Sequence, residues 1–332
     1  MKRSVKGLYL MKHWIKITLL ALSLCILSIF GYGVYLYISV KSTANAIYEL
    51  REPTKAITTS IDPAKPLTTG TDIKSGGPVK MDERDPYTVL VMGVDQREHD
   101  VGRSDTMILL TVNPFKESIL MFNIPRDTRT EIIGHGTTDK INHAYAFGGV
   151  NMSIQTVENF LNIPINYYIK VNMEGFNQII DLLGGVEVEN AFSFQYEGYD
   201  FREGHLKLSG AEALAYSRMR YDDPRGDLGR NARQREVLKQ TLNNALQVAN
   251  IVHIQSMLKE VGNNVKTDIT FDEMKKFITD YRSDLNTIET LEINGQGKKI
   301  NGIYYYMITS AEKERVHKLI KEHLRKATNS RE

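Results

Sequence analysis

From residue 17 to residue 40 the chain runs through 24 consecutive positions without a charge. That is enough to cross a hydrocarbon core of about 30 Å as a single helix. After it, apolar positions fall into shorter groups. Residues 87–94, Y-T-V-L-V-M-G-V, form a nearly continuous β-branched and apolar run, the pattern of a strand covered on both faces. Residues 106–112 and 118–124 repeat it on either side of a turn at Asn113-Pro114. The period then changes. Residues 151–161 carry apolar positions at helical spacing, 166–171 predict a strand, 174–183 predict a helix closed by Gly184-Gly185, and 186–188 predict a further strand. Ser209 to Glu212 reads as a capping box for a short helix that ends near Arg218. Val237, Leu238, Thr241, Leu242, Ala245, Leu246 and Ala249 mark the buried stripe of a long helix beginning near Arg230. Capping boxes at Thr270 to Glu273 and Thr309 to Glu312 open two more helices, with strand-like residues 290–293 and 303–308 between them.

Strands alternating with helices predict one layered α/β domain over residues 86–332, a central mixed β-sheet flanked by helices. Residues 17–40 precede it as a transmembrane anchor and residues 1–16 as a cytoplasmic tail. Residues 41–85, with Pro53, Pro63, Pro66, Pro78, Gly70, Gly76 and Gly77, predict an extracytoplasmic linker.

Charge gives the anchor a direction. Lys2, Arg3, Lys6, Lys12 and Lys16 precede the apolar run without a single carboxylate, so the positive-inside tendency keeps the N-terminus in the cytoplasm and places the domain outside. Ala44-Asn45-Ala46 resembles a signal-peptide cleavage site, but the run exceeds the roughly 7 to 15 residues of a signal h-region, which favours an uncleaved anchor. Setting those five cations aside leaves 37 basic and 40 acidic residues, a net of −3, so nucleic acid is not an expected partner. The sole cysteine, Cys25, lies inside the span, which excludes a disulfide, a Cys nucleophile or a thiolate metal site from the outer domain.

Candidate chemistry concentrates in residues 215–237, where Arg218, Arg220, Arg225, Arg230, Arg233 and Arg235 crowd together. Arg230, Arg233 and Gln234 have the spacing of one side of a helix's first turn. Cations belong at the opposite helix end, so guanidiniums here suggest a phosphate-like ligand. The alternative is a solvated face in which Asp222, Asp223, Asp227 and Glu236 neutralise the arginines pairwise. Asp95 ends the first predicted strand, Asp105 opens the second, and Arg126 with Arg129 follows the third, at the strand ends where α/β sheets usually bind ligands. The two aspartates suit a hard divalent ion, Mg²⁺ or Mn²⁺, or equally serve as turn and cap residues. His143 reads as a helix-start residue held by local hydrogen bonds. No P-loop, H-E-x-x-H or G-x-S-x-G motif occurs.

G-V-D at residues 93–95, G-R-S-D-T at 102–106, P-R-D at 125–127, K-I-N-H-A-Y at 140–145, D-x-L-G-G-V, and S-R-x-R-Y followed by G-D-x-G-R-x-x-R-Q together resemble the LytR-CpsA-Psr family. The resemblance covers about residues 87–246. It implies a transferase on the outer face of a Gram-positive membrane that moves an anionic glycopolymer, such as wall teichoic acid, from an undecaprenyl-pyrophosphate carrier to a muramic acid hydroxyl of peptidoglycan. By the same resemblance Asp95 and Asp105 hold Mg²⁺, Arg103, Arg126, Arg218, Arg220, Arg230 and Gln234 surround the pyrophosphate, and Asp227 is another polar position of that site. Arg126, Arg218, Arg220 and Asp95 are the expected catalytic residues, in a chain expected to be monomeric. A hydrolase acting on the same lipid, or a non-catalytic lipid or polymer sensor, remains open as an alternative.

Overall fold

The computed structural model describes residues 2–51, 79, 84–95, 102–247, 261–262, 264–277 and 287–326. Pro53, Pro63, Pro66, Pro78, Gly70, Gly76 and Gly77 of the predicted linker lie outside the described residues, as does Ala249.

Helix α1 (Lys2–Ile47) is, among the described residues, the one helix long and apolar enough to cross a membrane. It does not stop at Val40. Leu36, Ser39, Val40, Thr43, Ala44 and Ile47 recur at helical spacing and are turned partly or wholly from solvent, so the last turns dock against the domain. The chain then continues alongside the sheet: Tyr48 bridges to Thr267, and the Glu49 amide donates to the Thr267 carbonyl at 2.8 Å. The Arg51 side chain ion-pairs with Asp268 at 2.6 Å. The first residues assigned to a linker are therefore helix and clasp.

The central sheet contains β1 (Tyr87–Val94), β2 (Ser104–Asn113), β3 (Ser118–Asn123), β6 (Tyr167–Asn172), β11 (Val265–Thr267) and β12 (Thr287–Leu291). Their order is β11-β6-β1-β2-β3-β12. β1 pairs parallel with β6 and β3 with β12, while the other pairings are antiparallel, which makes the sheet mixed as expected. The two-sided apolar runs follow from its layering. Leu90, Met92, Leu109 and Phe122 face α2 (His143–Leu161) and α7 (Ser310–His323), packing on Ile154, Val157, Val316 and Ile320. Val89, Ile108, Leu110 and Met121 face the other way, toward Leu238 and Leu242 of α5 (Asp227–Gln247) and Met274 of α6 (Phe271–Lys276).

A third cluster builds a side layer. It joins α3 (Met173–Leu182), the pair β7 (Val186–Asn190) and β10 (Gly204–Leu208), the pair β8 (Phe194–Tyr196) and β9 (Tyr199–Phe201), and α4 (Gly210–Arg218). Phe194, Phe201, Tyr216 and Val237 meet at its centre. Two more hairpins, β4 (Arg129–Ile132) with β5 (Thr137–Lys140) and β13 (Gln296–Ile300) with β14 (Ile303–Met307), lie beyond the ends of the sheet strands.

The C-terminal helix is held by a buried polar clasp. His323 Nδ1 lies 2.7 Å from Thr111 Oγ1 and Nε2 lies 3.0 Å from Ser118 Oγ, while Asn113 Nδ2 donates to the carbonyls of His323 and Arg325. Burial, helped by nearby Lys116, pushes the imidazole pKa down to about 4 from an ordinary 6.5. Between those values the unfolded chain binds a proton that the fold excludes, so this group's stabilisation is complete above pH 6.5 and declines as pH falls toward 4. Denaturant unfolding of wild type and His323→Asn should show a smaller loss of stability over that interval in the variant; identical pH profiles would remove His323 as the cause.

Candidate active site

Three strand ends converge at one edge of the sheet. β1 leaves through Asp95, β2 enters through Arg103, and β3 leads into Pro125-Arg126. Antiparallel pairing sets Gly93 opposite Thr106 and, past a bulge, Val94 opposite Ser104. The Asp95 amide donates to the Arg103 carbonyl at 3.3 Å, so the two aspartates proposed for a metal sit on adjoining segments. Gly93 permits the approach, since a Cβ there would lie 3.1 Å from Thr106 Cβ.

The facing wall is the loop between α4 and α5. α5 begins at Asp227, three residues earlier than the apolar stripe implied, because Asp227 supplies the carboxylate that a helix start favours. The loop lies directly on its first turn. A Cβ on Gly229 would fall 2.0 Å from an Asp223 oxygen, so only glycine fits beneath the Asp223 carboxylate. Asp223 in turn pairs with Arg233, whose guanidinium also donates to the carbonyls of Tyr216 and Met219 and rests 5.4 Å from the Phe194 ring centre. Arg233 is thus a structural tie, and the expected common face of Arg230, Arg233 and Gln234 is divided. Arg230 turns to the site, Arg233 turns into the side layer, and Gln234 accepts from Asn123 Nδ2 at 3.1 Å at the end of β3.

Around the space between these walls the charges interlock. Arg126 Nη1 lies 2.9 Å from Asp105 Oδ1, which also accepts from Asn142 Nδ2 at 3.3 Å. Asp227 Oδ1 stands 2.8 Å from Arg230 Nη2 and 3.6 Å from Arg220 Nε. Arg230 is only 6% exposed; its Nη2 is ion-paired with Asp227 without being aligned for a hydrogen bond, and its Nε, like the buried Nε of Arg126, makes no hydrogen bond among the described residues. Burial pulls the Arg230 pKa below the ordinary guanidinium value, with Arg126 and Arg220 adding to the effect and Asp227 and Asp105 opposing it. Burial acts the same way on Arg126, but Asp105, followed by Asp227 and Asp127, outweighs it and holds that guanidinium above its ordinary value. Arg126, Arg220 and Arg230 therefore share one field with buried donors still to be satisfied, an arrangement that an anion would stabilise.

Other predicted residues lie around this centre. Arg103 is exposed at the entry of β2. Arg218 points to the β8–β9 hairpin, 3.2 Å from Glu197. Arg225 binds Glu292 at 2.5 Å, and Arg235 spans Asn123 and Glu292. Those two brace α5 against the segment after β12. His143 Nδ1 lies 2.7 Å from Asp139, the local contact expected of it.

Sequence reasoning passed over Asn142, Lys140 and Tyr304. Lys140 neutralises Asp127 at 2.7 Å. Tyr304 comes from β14, brought in by the bridge of Thr128 to Tyr306; burial raises its hydroxyl pKa, with Asp127 and Asp227 adding to the effect. Asn142 lay within the K-I-N-H-A-Y motif, which was the available signal; the three adjacent tyrosines of β14 gave none.

The donor set is compatible with Mg²⁺. Among the described residues no three His, Cys, Asp or Glu side chains gather as a ready metal cage. Mg²⁺ does not require one, since it commonly binds through one or two carboxylates together with substrate phosphates and water. Asp105 is half-buried at the mouth of the site, and Asn142 Oδ1 beside it is buried without a hydrogen-bond partner among the described residues, an extra hard oxygen.

Fold and site together define an α/β domain carrying a buried arginine and carboxylate centre at its strand ends, attached to an apolar helix suited to single-pass membrane anchoring. The LytR_cpsA_psr family model matches residues 34–322, and the chain belongs to that family. It is 48% identical over 301 residues to a Halalkalibacterium halodurans protein named polyisoprenyl-teichoic acid--peptidoglycan teichoic acid transferase TagU, covering 90% of this chain and 93% of that protein. The crystal structure of Bacillus subtilis TagU superposes with a TM-score of 0.60 at 47% identity, covering 74% of this chain and 99% of that one. A structure described as TagT bound to LI-WTA superposes with a TM-score of 0.62 at 29% identity, covering 73% of this chain and 91% of that one.

The division of labour among the arginines is testable by stability. Arg233→Ala leaves Asp223 buried without its partner and should lower unfolding free energy by about 3–5 kcal/mol. Arg218→Ala, at a partly exposed pair, should cost less than about 1 kcal/mol. Equal, small effects in urea titrations would show that Arg233 is not the tie.

Proposed function

We propose that this protein transfers an anionic glycopolymer from a polyprenyl-pyrophosphate carrier to a peptidoglycan hydroxyl, joining them through a phosphodiester. The observation that carries this reading is the pair of buried guanidinium Nε donors on Arg126 and Arg230, which have no hydrogen bond among the described residues and lie in one charge field with Arg220. A pyrophosphate diester supplies two charges and several acceptors of matching geometry. The names of the similar teichoic acid transferases support the substrate class.

In this reading the acceptor hydroxyl attacks the glycopolymer-bearing phosphorus, a new O–P bond forms, the bridging P–O bond breaks, and polyprenyl phosphate leaves. Negative charge grows on the departing phosphate. Arg126, Arg220 and Arg230 are fixed before the reaction, so they stabilise that charge more than the ground state, with Arg103 and Arg218 at the margins and Gln234 and Asp227 orienting the set. Asp95, on the segment next to Asp105, takes the hydroxyl proton. Asp95 and Asp105 would hold Mg²⁺, which supplies charge neutralisation at the phosphates when bound. Partly buried Val91, Ile169, Leu238 and Leu242, packed where the sheet meets α5, are the apolar surface on which the carrier's tail would lie. The lysine-rich start of α1 supports an orientation with the N-terminus inside and the domain outside a Gram-positive membrane.

Full-length protein in detergent, supplied with a short-chain polyprenyl-pyrophosphate glycan, Mg²⁺ and peptidoglycan oligomers, should yield a glycan-phosphate-muropeptide adduct by mass spectrometry. Polyprenyl phosphate release should rise when the acceptor is added. Release at an unchanged rate without any adduct would mean hydrolysis, and binding with neither product would mean a sensor.

Arg126→Ala or Arg220→Ala should lower turnover by about 10²-fold or more, with only partial rescue by lysine. Asp105→Ala should abolish the response to Mg²⁺ while leaving the thermal midpoint nearly unchanged. Wild-type kinetics in all of these variants would return the cluster to a purely structural role.

A further inference from the structure

The junction of α1 with the domain fixes where the bilayer must end. A hydrocarbon core of about 30 Å takes up about 20 helical residues. Counted from Ile17, the start of the apolar run, that length is exhausted near Leu36 and Tyr37. Contact with the domain begins at that same level. Leu36 is the first position of the docking stripe, and the Tyr37 ring meets the Phe271 ring of α6 edge-on at 5.7 Å. Leu36, Ser39 and Val40 of the apolar run thus turn toward protein, Tyr37 touches it through its ring and Ile38 stays exposed, so no free length of helix separates the two.

α6 is rigidly placed at that level. Its start is closed by the reciprocal Thr270 and Glu273 capping box, and Glu273 accepts from the Tyr167 hydroxyl at 2.7 Å. Met274 and Phe277 pack beneath the sheet, Phe277 meeting the Tyr87 ring edge-on at 4.8 Å. Those contacts leave Asp272 and Lys275 turned outward, with Lys276 beside them in the last turn. Lys41 is exposed one turn beyond Tyr37 on α1. Aromatic rings at the hydrocarbon edge and lysines just past it are the residue types that a membrane interface favours.

We propose that the domain is seated directly on the bilayer, with the outer face of α6 in the lipid headgroup layer and the clasp of Tyr48, Glu49 and Arg51 holding that pose. The partner surface is the phospholipid headgroup region. This rests on α1 spanning the membrane, so the test must separate failure of the seat from failure of the span.

The full chain, reconstituted in phosphatidylglycerol and phosphatidylethanolamine vesicles that carry either a shallow nitroxide lipid or one with the nitroxide deep in the acyl chain, provides that separation. A fluorophore on native Cys25, near mid-bilayer, reports the span against the deep quencher, and the shallow quencher reads the domain positions. In a Cys25→Ser background, a fluorophore on Lys275→Cys reports the seat, and one on exposed Asp200→Cys, on the β8–β9 hairpin that Arg218 reaches through Glu197, reports a part of the domain to which the seat assigns no lipid contact. Lys275 is exposed, so the label disturbs no packing. The Lys275 position should lose most of its emission to the lipid quencher while Asp200 keeps its own. Replacing both Tyr37 and Phe271 with Ala should relieve the quenching at Lys275 and leave Cys25 quenched. Quenching at Lys275 no greater than at Asp200, with Cys25 quenched, would overturn the seat. An unquenched Cys25 would overturn the span, and the seat with it.

Discussion

The pairing of Arg233 with Asp223 is the contact on which the site's geometry depends. The loop from Met219 to Gly226 has no regular structure to hold it. It is kept against α5 because a buried carboxylate finds a buried guanidinium there, and that guanidinium is itself fixed by two backbone carbonyls and the faces of Phe194 and Tyr216. Breaking one partner would leave an uncompensated charge in an apolar layer, so the arrangement tolerates little movement. With the loop held, Arg220 and Asp227 are set beside Arg230, and the anion-facing wall exists before any ligand arrives. Such preorganisation is what lets fixed donors favour a transition state over a ground state.

Much of this was legible in the sequence where burial imposes a simple pattern. β1, β2 and β3 stood out because each is covered on both faces, and α4, α6 and α7 because an N-cap serine or threonine is followed three residues on by a glutamate. At α4 and α6 that glutamate closes the capping box, whereas Glu312 of α7 instead accepts from the Asn294 amide at 2.8 Å and pairs with Arg315. The short hairpins were not legible. β8 and β9 have three residues each, too few to show a period, and β5 is entirely polar and partly exposed. α2 begins eight residues before the helical spacing does, because Gly148 and Gly149 interrupt it with non-helical dihedrals. β12 lies a few positions earlier than its apolar residues suggested, since its parallel pairing with β3 draws Thr287 and Glu289 into the ladder.

The site divides in the same way. The clustering of arginines and the strand-end aspartates were visible as composition and position. The direction of each guanidinium was not, because neighbours three and four apart on a helix share a side only approximately. What distinguishes Arg230 from Arg233 is the aromatic side layer and Asp223, both supplied by tertiary packing. Tyr304 and the His323 clasp are likewise products of distant segments meeting. No local pattern announces them.

The two ends of β1 touch different surroundings. Tyr87 at its start rests on Phe277, just past α6, while Val94 at its end leads into Asp95 and the arginines. Seven extended steps separate them, about 23 Å. With α6 at the lipid surface, a carrier whose phosphates lie among the arginines and whose far end stays in hydrocarbon must span at least that strand. The sheet then acts as a ruler: long prenyl chains reach the chemistry while still anchored, and short ones must leave the bilayer to do so.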